Sequence, residues 1–217
     1  MRYAWGVSMF IGHFGVAMGI KAAFPETPLP ALILATQAVD VVYAGLSLVG
    51  VERAEYDENG PATFKMRMTY VPYSHGLVPT IILSFICAYL SLLFYPSLGL
   101  TELFLIGVAC FSHWILDLIV HEKDLPLWRN KHHVGLGLWH HRAPAISLEM
   151  AIILGGAAAM LVAEVSEMWK IMVFGGLMLI SQSIAFAIPL PRPLAFLAVN
   201  MLATYAVFTA LAVWVDL

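Results

Sequence analysis

The chain has 217 residues, of which 61% are hydrophobic and only 12% charged, and its formal net charge is −3 at pH 7. A soluble globular domain is nearer half apolar and a quarter charged, so one compact core in so short a chain cannot bury this much apolar surface. The composition indicates an integral membrane protein, and the lack of a basic field argues against nucleic acid as a partner.

Long apolar runs predict an all-α fold, a polytopic transmembrane helix bundle that forms a single domain over residues 1–217. A membrane-spanning helix needs about 20 predominantly apolar residues, and seven runs meet this requirement. The alternative is six spans, with the first helix lying at the membrane interface. The predicted spans are approximately 4–23, 30–50, 74–95, 99–121, 146–164, 170–188 and 193–215.

The distribution of basic residues orients the chain. With a cytoplasmic N-terminus, nine of the eleven Lys and Arg residues fall on the inner side, as the positive-inside rule requires, and only Lys21 and Lys170 fall outside. We therefore expect cytoplasmic loops at 51–73 and 122–145, and a location in the bacterial inner membrane. The nine inner residues are Arg2, Arg53, Lys65, Arg67, Lys123, Arg129, Lys131, Arg142 and Arg192.

Ionisable side chains recur in the same half of five predicted spans. They are costly in hydrocarbon, so they tend to pair, bind a metal or line a polar path. Neutral imidazoles and carboxylates that converge from rigid helices are the ligands of a divalent transition metal, with zinc favoured here over manganese or iron. The predicted metal ligands are His13, Asp40, His75, His113 and Asp117.

His113, Asp117 and His121 are spaced four residues apart, which places all three on one face of the fourth span. His121 and Glu149 lie near the predicted cytoplasmic end, and we expect one of them to act as general base. Other interpretations stay open. His13, which lies between two glycines that would let another helix approach, could form a helix–helix hydrogen bond. His75 could simply start a helix, and His121 could be solvated at the membrane interface.

The second predicted loop contains four further histidines. A solvated interfacial segment is the favoured interpretation, and a lid over the site, made flexible by Gly135 and Gly137, is the alternative. Arg129, Lys131 and Arg142 are the candidates for binding an anionic headgroup. The four histidines are His132, His133, His140 and His141.

His13, Asp40, Ser74-His75 and Ser112-His113-x-x-x-Asp117 occur in an order that resembles the membrane-bound metal-dependent hydrolases, a family of small inner-membrane proteins. The resemblance covers residues 10–121, about half of the chain. The His-x-x-x-Asp element is also similar to a zinc-ligand element of zinc-dependent phospholipase C, which implies phosphoester hydrolysis on a lipid-like substrate. The Asp-x-Asp end of the family's second span is reduced here to Val39-Asp40-Val41, and the His-Arg-Gly-x-Thr-His-Ser element to Tyr73-Ser74-His75-Gly76.

Three functions are compared. The leading hypothesis is a metal-dependent hydrolase of a phosphate or acyl ester in a membrane lipid or lipid-like substrate. The alternative is a cation- or proton-coupled transporter that uses the buried His and Asp residues, although the sequence shows little sign of the broken helices common in carriers. A di-iron membrane oxygenase ranks below both, because its His-x-x-His-His boxes are absent.

Overall fold

The computed structural model describes residues 3–4, 11–61, 65–187 and 192–217, and the protein is 67% helical. The described residues form eight α-helices, one short 3-10 helix (Leu138–His140) and three two-stranded antiparallel sheets. The helices are α1 (His13–Ala23), α2 (Leu29–Thr36), α3 (Ala38–Leu48), α4 (Leu77–Ser91), α5 (Leu100–Val120), α6 (Arg142–Val162), α7 (Met168–Ala187) and α8 (Leu194–Asp216). The strands are β1 (Tyr3–Ala4), β2 (Arg53–Tyr56), β3 (Met66–Tyr70), β4 (Leu125–Trp128), β5 (Lys131–Val134) and β6 (Arg192–Pro193).

Four helices, α5 to α8, are long and apolar enough to cross a membrane, and α2 with α3 make a fifth if the bent pair is one span. Helix α4 is apolar but has 15 residues. Helix α1 has 11 residues, about 16 Å of helix against a hydrocarbon core of roughly 30 Å. The fold is therefore a helical bundle with candidate membrane spans, and the number seven stays a prediction. Residues 5–10 of the first predicted span lie outside the described residues.

The second predicted span, 30–50, is not a continuous helix. It breaks at Gln37, and α2 and α3 meet there at an angle of 50°. The break leaves the carbonyl of Thr36 outside the regular helical ladder, where it accepts a hydrogen bond from Nδ1 of His113 at 2.7 Å. A buried carbonyl needs such a partner, so the break in one helix is satisfied by the neighbouring α5.

Helices α1 and α6 approach closely because both have glycine at the crossing. A Cβ atom on Gly15 would clash with the backbone oxygen of Ile152, and one on Gly156 would clash with the backbone oxygen of Gly15. Small residues allow this backbone approach between helices in membranes. The contact fixes the start of α1, and with it His13, against α6.

Both predicted loops contain β-hairpins. Strands β2 and β3 pair, as do β4 and β5, and the backbone N–H of Met68 donates to Oδ2 of Asp124 at 3.1 Å between the two hairpins. The first predicted loop begins and ends close to 51–73, whereas α6 begins at Arg142, inside the predicted loop 122–145.

The basic residues separate toward two ends of the bundle. The hairpins lie at one end with β1, which contacts β2 and pairs with β6, so this end holds all the predicted inner basic residues except Arg2, which lies outside the described residues. At the other end the Nζ atom of Lys21 lies 2.6 Å from Oδ1 of Asp216. The cytoplasmic location of the hairpin end remains a prediction.

Candidate metal centre

The five predicted ligands lie close together inside the bundle, in two overlapping groups. His13 is the first residue of α1, Asp40 lies in the first turn of α3 beyond the break, and His75 precedes α4. His113 and Asp117 lie one turn apart on α5. In two overlapping groups, His13 with His113 and Asp117, and Asp40 with His75 and His113, the possible ligand atoms all lie within 4.8 Å of one another.

Four of these side chains form a ring of alternating nitrogen and oxygen atoms. Oδ2 of Asp117 lies 3.2 Å from Nε2 of His113 and 3.7 Å from Nε2 of His75. Oδ1 of Asp40 lies 3.3 Å from Nε2 of His75 and 3.7 Å from Nε2 of His113. A tetrahedral zinc ion with bonds of about 2.0–2.1 Å separates neighbouring ligand atoms by roughly 3.3 Å, so the ring has the dimensions of a metal site.

The hydrogen bonds at the far side of two rings determine which nitrogen faces this centre. Nδ1 of His113 donates to the Thr36 carbonyl, which can only accept. Nδ1 of His75 lies 2.8 Å from the hydroxyl of Ser74, and that hydroxyl donates to Oε2 of Glu52 at 2.5 Å, so Nδ1 of His75 is the donor. In the neutral state both Nε2 atoms therefore present lone pairs to the carboxylates.

Lone pairs of nitrogen and oxygen repel unless a cation or a proton lies between them. Oδ2 of Asp117 is buried and has no hydrogen-bond partner among the described residues, although Nε2 of His113 is only 3.2 Å away. A buried, unsatisfied carboxylate oxygen is costly. A divalent cation would satisfy this oxygen and both imidazoles together, and the donor set is that of zinc, manganese or iron.

The other oxygen of Asp117 faces two more histidines. Oδ1 lies 3.6 Å from Nε2 of His13 and 3.9 Å from Nε2 of His121. The His121 ring is buried against Trp139, with ring centroids 4.2 Å apart. His121 is therefore not the solvated interfacial residue of the alternative interpretation, and it extends the cluster.

An outer carboxylate holds His121 in place. Nδ1 of His121 lies 3.0 Å from Oδ1 of Asp124. Burial acts to raise the pKa of Asp124, but the charge and hydrogen bond of His121, together with the hydrogen bond from the Met68 N–H, outweigh burial, so this pKa is lowered. The pair is an ion-pair support of the kind that orients metal-binding histidines.

Two supporting residues were not predicted from the sequence. Glu52 is buried and accepts hydrogen bonds from the backbone N–H groups of Tyr73 at 2.8 Å and Ser74 at 3.0 Å, as well as from the Ser74 hydroxyl. The Tyr205 hydroxyl, on α8, donates to Oδ2 of Asp40 at 2.6 Å. Both residues fix the orientation of a candidate ligand from its outer side.

Glu149 lies beside the cluster on α6. It is buried, and its carboxylate has no hydrogen-bond partner among the described residues. Its side chain packs over Gly12, where an added Cβ would lie 3.2 Å from Cγ of Glu149. A carboxylate in this position could accept a proton, and the role of Glu149 as general base stays a prediction.

The basic residues of the second loop do not reach the centre. Arg129, Lys131 and Arg142 are exposed, and the guanidinium of Arg129 lies over the Trp128 ring at 5.3 Å. The four loop histidines are exposed as well, which agrees with the favoured interpretation of a solvated segment.

Arg129 borders an open cavity of about 650 Å³ beside the segment that contains His75. Its walls combine the apolar face of α4 with polar groups from the hairpins. The lining side chains are Val42, Tyr70, Pro72, Tyr73, Pro79, Ile82, Leu83, Ile86, Trp128 and Arg129.

Comparison with protein-family models, curated proteins and solved structures gives no significant match.

Proposed function

We propose that this protein is a membrane-embedded metal-dependent hydrolase of a phosphate or acyl ester in a lipid-like substrate. The observation on which the proposal rests is the set of opposed lone pairs at Asp117, His75 and His113, because a buried cation satisfies them all. The order of His13, Asp40, His75, His113 and Asp117 along the chain, which resembles the membrane-bound metal-dependent hydrolases, supports the same function.

The residues around the centre have separate roles in this proposal. His13, Asp40, His75, His113 and Asp117 would hold the metal, with zinc favoured. A bound divalent cation would supply Lewis acidity and make water a better nucleophile. Glu149 would accept the proton that the attacking water loses, since its carboxylate is buried and has no hydrogen-bond partner among the described residues.

The substrate would approach from the cavity next to α4. Of the four side chains in the ring, Asp40 is the most exposed, with 14% of its side-chain surface accessible, against 1–3% for the other three. Apolar residues of α4 line the cavity, and Arg129 stands at its hairpin end. A lipid tail fits the apolar wall and an anionic headgroup fits the arginine.

A direct test uses purified protein, loaded with zinc in detergent and incubated with phospholipids. We expect release of a headgroup phosphate or a fatty acid, abolished by a chelator and by Asp117→Asn and retained in His132→Gln, a change at an exposed histidine outside the cluster. Hydrolysis that survives both the chelator and Asp117→Asn would contradict the proposal.

One observation favours the transporter as second candidate. The α2–α3 pair is broken at Gln37 and Asp40 lies just beyond the break, an arrangement found at ion sites of carriers. Proteoliposomes loaded with a pH-sensitive dye separate the two functions. Metal- or proton-dependent flux that is lost in Asp40→Asn, without ester hydrolysis in the same preparation, would replace the hydrolase with the carrier.

A further inference from the structure

The two cysteines of the chain, Cys87 and Cys110, lie on neighbouring helices and their thiols meet. Cys87 is on α4 and Cys110 is on α5, and neither is in a disulfide. A free cysteine inside an apolar helix usually packs as a small hydrophobic side chain. Here, however, the two thiols hydrogen-bond with each other, and sulfur atoms that meet across a helix pair are the starting point for a disulfide.

The backbones of α4 and α5 approach closely at this place. A Cβ atom added to Gly107 of α5 would lie 3.5 Å from the backbone oxygen of Ser84 on α4. The thiol of Cys110 hydrogen-bonds with Ser84 and with Cys87, which lie one turn apart on α4, so its sulfur is seated between them. Close backbones matter because a disulfide requires Cα atoms no more than about 7 Å apart.

The two thiols differ in exposure. Cys110 is buried in the hydrophobic core of the bundle, whereas Cys87 packs against that core and is partly exposed. The neighbouring Phe85 and Ile86 are exposed on α4, which makes this the face that meets lipid. A small oxidant dissolved in the bilayer therefore reaches Cys87 first. Cys110 is then the one partner within the chain, which has two cysteines in all.

A bond between these cysteines would join two elements that serve the candidate centre. Helix α4 follows His75 directly and supplies part of the apolar wall of the open cavity, including Ile86 next to Cys87. Helix α5 contains His113 one turn after Cys110. A disulfide would therefore hold the cavity wall against the helix that carries the predicted ligands.

We propose that Cys87 and Cys110 are a redox-active dithiol that forms a reversible disulfide between α4 and α5. The sulfur of Cys87 adds to a lipid-soluble two-electron oxidant, such as a quinone or an azo compound, and the sulfur of Cys110 then displaces the reduced oxidant. One S–S bond forms, two S–H bonds break, and the oxidant leaves with two electrons and both protons. A thiol reductant reverses the reaction by exchange. The proposal does not depend on the function proposed for the metal centre.

The test counts free thiols in the full-length protein in its membrane. Membranes are treated with diamide, a permeant azo oxidant, then denatured with N-ethylmaleimide, and the monomer is weighed by intact mass spectrometry. We expect the untreated protein to carry two maleimide adducts. After diamide it should carry none and weigh two hydrogen atoms less than the reduced chain. Dithiothreitol before denaturation should restore both adducts.

A matched variant separates pairing from general thiol oxidation. Cys87→Ser combined with Phe85→Cys keeps one cysteine on each helix but moves that of α4 to an exposed position. This double variant should keep both adducts after diamide, and Cys110→Ser should keep its single adduct. Two adducts on the treated unaltered protein would overturn the proposal. So would equal loss of adducts in the double variant, or a gain of oxygen atoms in place of the loss of two hydrogens.

Discussion

The Asp117 carboxylate is buried among four histidines, with its two oxygens 3.2–3.9 Å from their Nε2 atoms. Isolated, an ionised carboxylate inside a helical bundle would cost several kcal/mol. Protons on the imidazoles or a divalent cation can offset that cost, and only the cation also satisfies lone pairs from several helices at once. The free-energy cost of burying the Asp117 carboxylate is therefore an argument for metal binding at this site.

Glu52 should tune metal affinity without touching the metal. Glu52→Gln keeps the size of the side chain but weakens its hold on the Ser74 hydroxyl and so on the orientation of His75. Loss of such an outer partner typically costs about 10–100-fold in metal affinity. Competition with a zinc chelator measures the change. The control is Glu58→Gln at an exposed position of the same hairpin, and equal affinities in the two variants would contradict the assigned role.

Asp124 should stabilise the protein in a pH-dependent way. Its pKa in the folded protein is below the ordinary value of 3.8, so its contribution is present above that pH and disappears as the pH falls through the folded pKa. We expect metal-free Asp124→Asn to be about 1–3 kcal/mol less stable than the unaltered protein at pH 7. The difference should shrink toward pH 3. Thermal unfolding in detergent with a chelator measures it, and a difference that is the same at both pH values would count against the ion pair with His121.

The sequence predicts the candidate ligands better than the residues that support them. His13, Asp40, His75, His113 and Asp117 stand out because charge in apolar runs is expensive, and the structure brings all five together. Glu52 cannot be singled out in this way, because it lies among charged residues in a predicted loop. Its burial depends on the folded hairpin. Tyr205 is equally hidden, because a tyrosine in an apolar helix is ordinary and its partner Asp40 is 165 residues away.

Two features of the secondary structure, the β2–β3 hairpin and the break between α2 and α3, do not follow from the apolar runs of the sequence. The alternation of buried Met66 and Met68 with exposed Arg67 and Thr69 is typical of a strand, yet a count of membrane spans treats this segment as a loop. The break at Gln37 has no glycine or proline beside it, and it depends on His113 of another helix to satisfy the Thr36 carbonyl. Tertiary contacts decide both features.

Helix α1 offers a matched pair of glycines for testing its contact with α6. Gly15→Ala would place a methyl group against the backbone of Ile152, whereas a Cβ on Gly19 meets nothing within 4 Å. We expect Gly15→Ala to lose about 1–3 kcal/mol of stability through overpacking. Gly19→Ala should be neutral or gain up to about 1 kcal/mol. Unfolding in detergent compares them, and equal stabilities would show that the close approach of α1 and α6 is wrong.

The cavity between α4 and the hairpins should select anionic lipids. Arg129 lines this cavity and Lys131, two residues on, does not. We expect Arg129→Gln to weaken binding of an anionic phospholipid several-fold, with little change for Lys131→Gln and for a zwitterionic lipid in either variant. Fluorescence quenching by lipids with labelled headgroups provides the measurement. If the two variants lose the same affinity, general surface charge and not the cavity attracts the lipid.

The whole molecule has a basic end, formed by the hairpins, and an opposite end where Lys21 pairs with Asp216. The candidate centre is nearer the basic end, since Asp117 lies one turn before the last residue of α5. The distribution of Lys and Arg along the sequence predicts that one end of the bundle is basic. The number of membrane spans is harder to predict from apolar runs, because α1 and α4 are short and the α2–α3 pair is broken.

Cysteine labelling tests which side the basic end faces. Asn59→Cys lies in the β2–β3 hairpin and Glu167→Cys lies between α6 and α7 at the other end; both positions are exposed. If the hairpin end is cytoplasmic, an impermeant maleimide should label position 59 only in inside-out vesicles and position 167 only in right-side-out vesicles. The unaltered protein, with Cys87 and Cys110 in the bundle, gives the background. The reverse pattern would place the site on the outer side.

The metal content of the purified, full-length protein tests the central claim most directly. The account predicts stoichiometric zinc, manganese or iron that withstands gel filtration, is lost in Asp117→Asn and persists in His132→Gln. Folded protein that takes up no divalent metal, with Asp117→Asn no different from the unaltered chain, would contradict the existence of the centre.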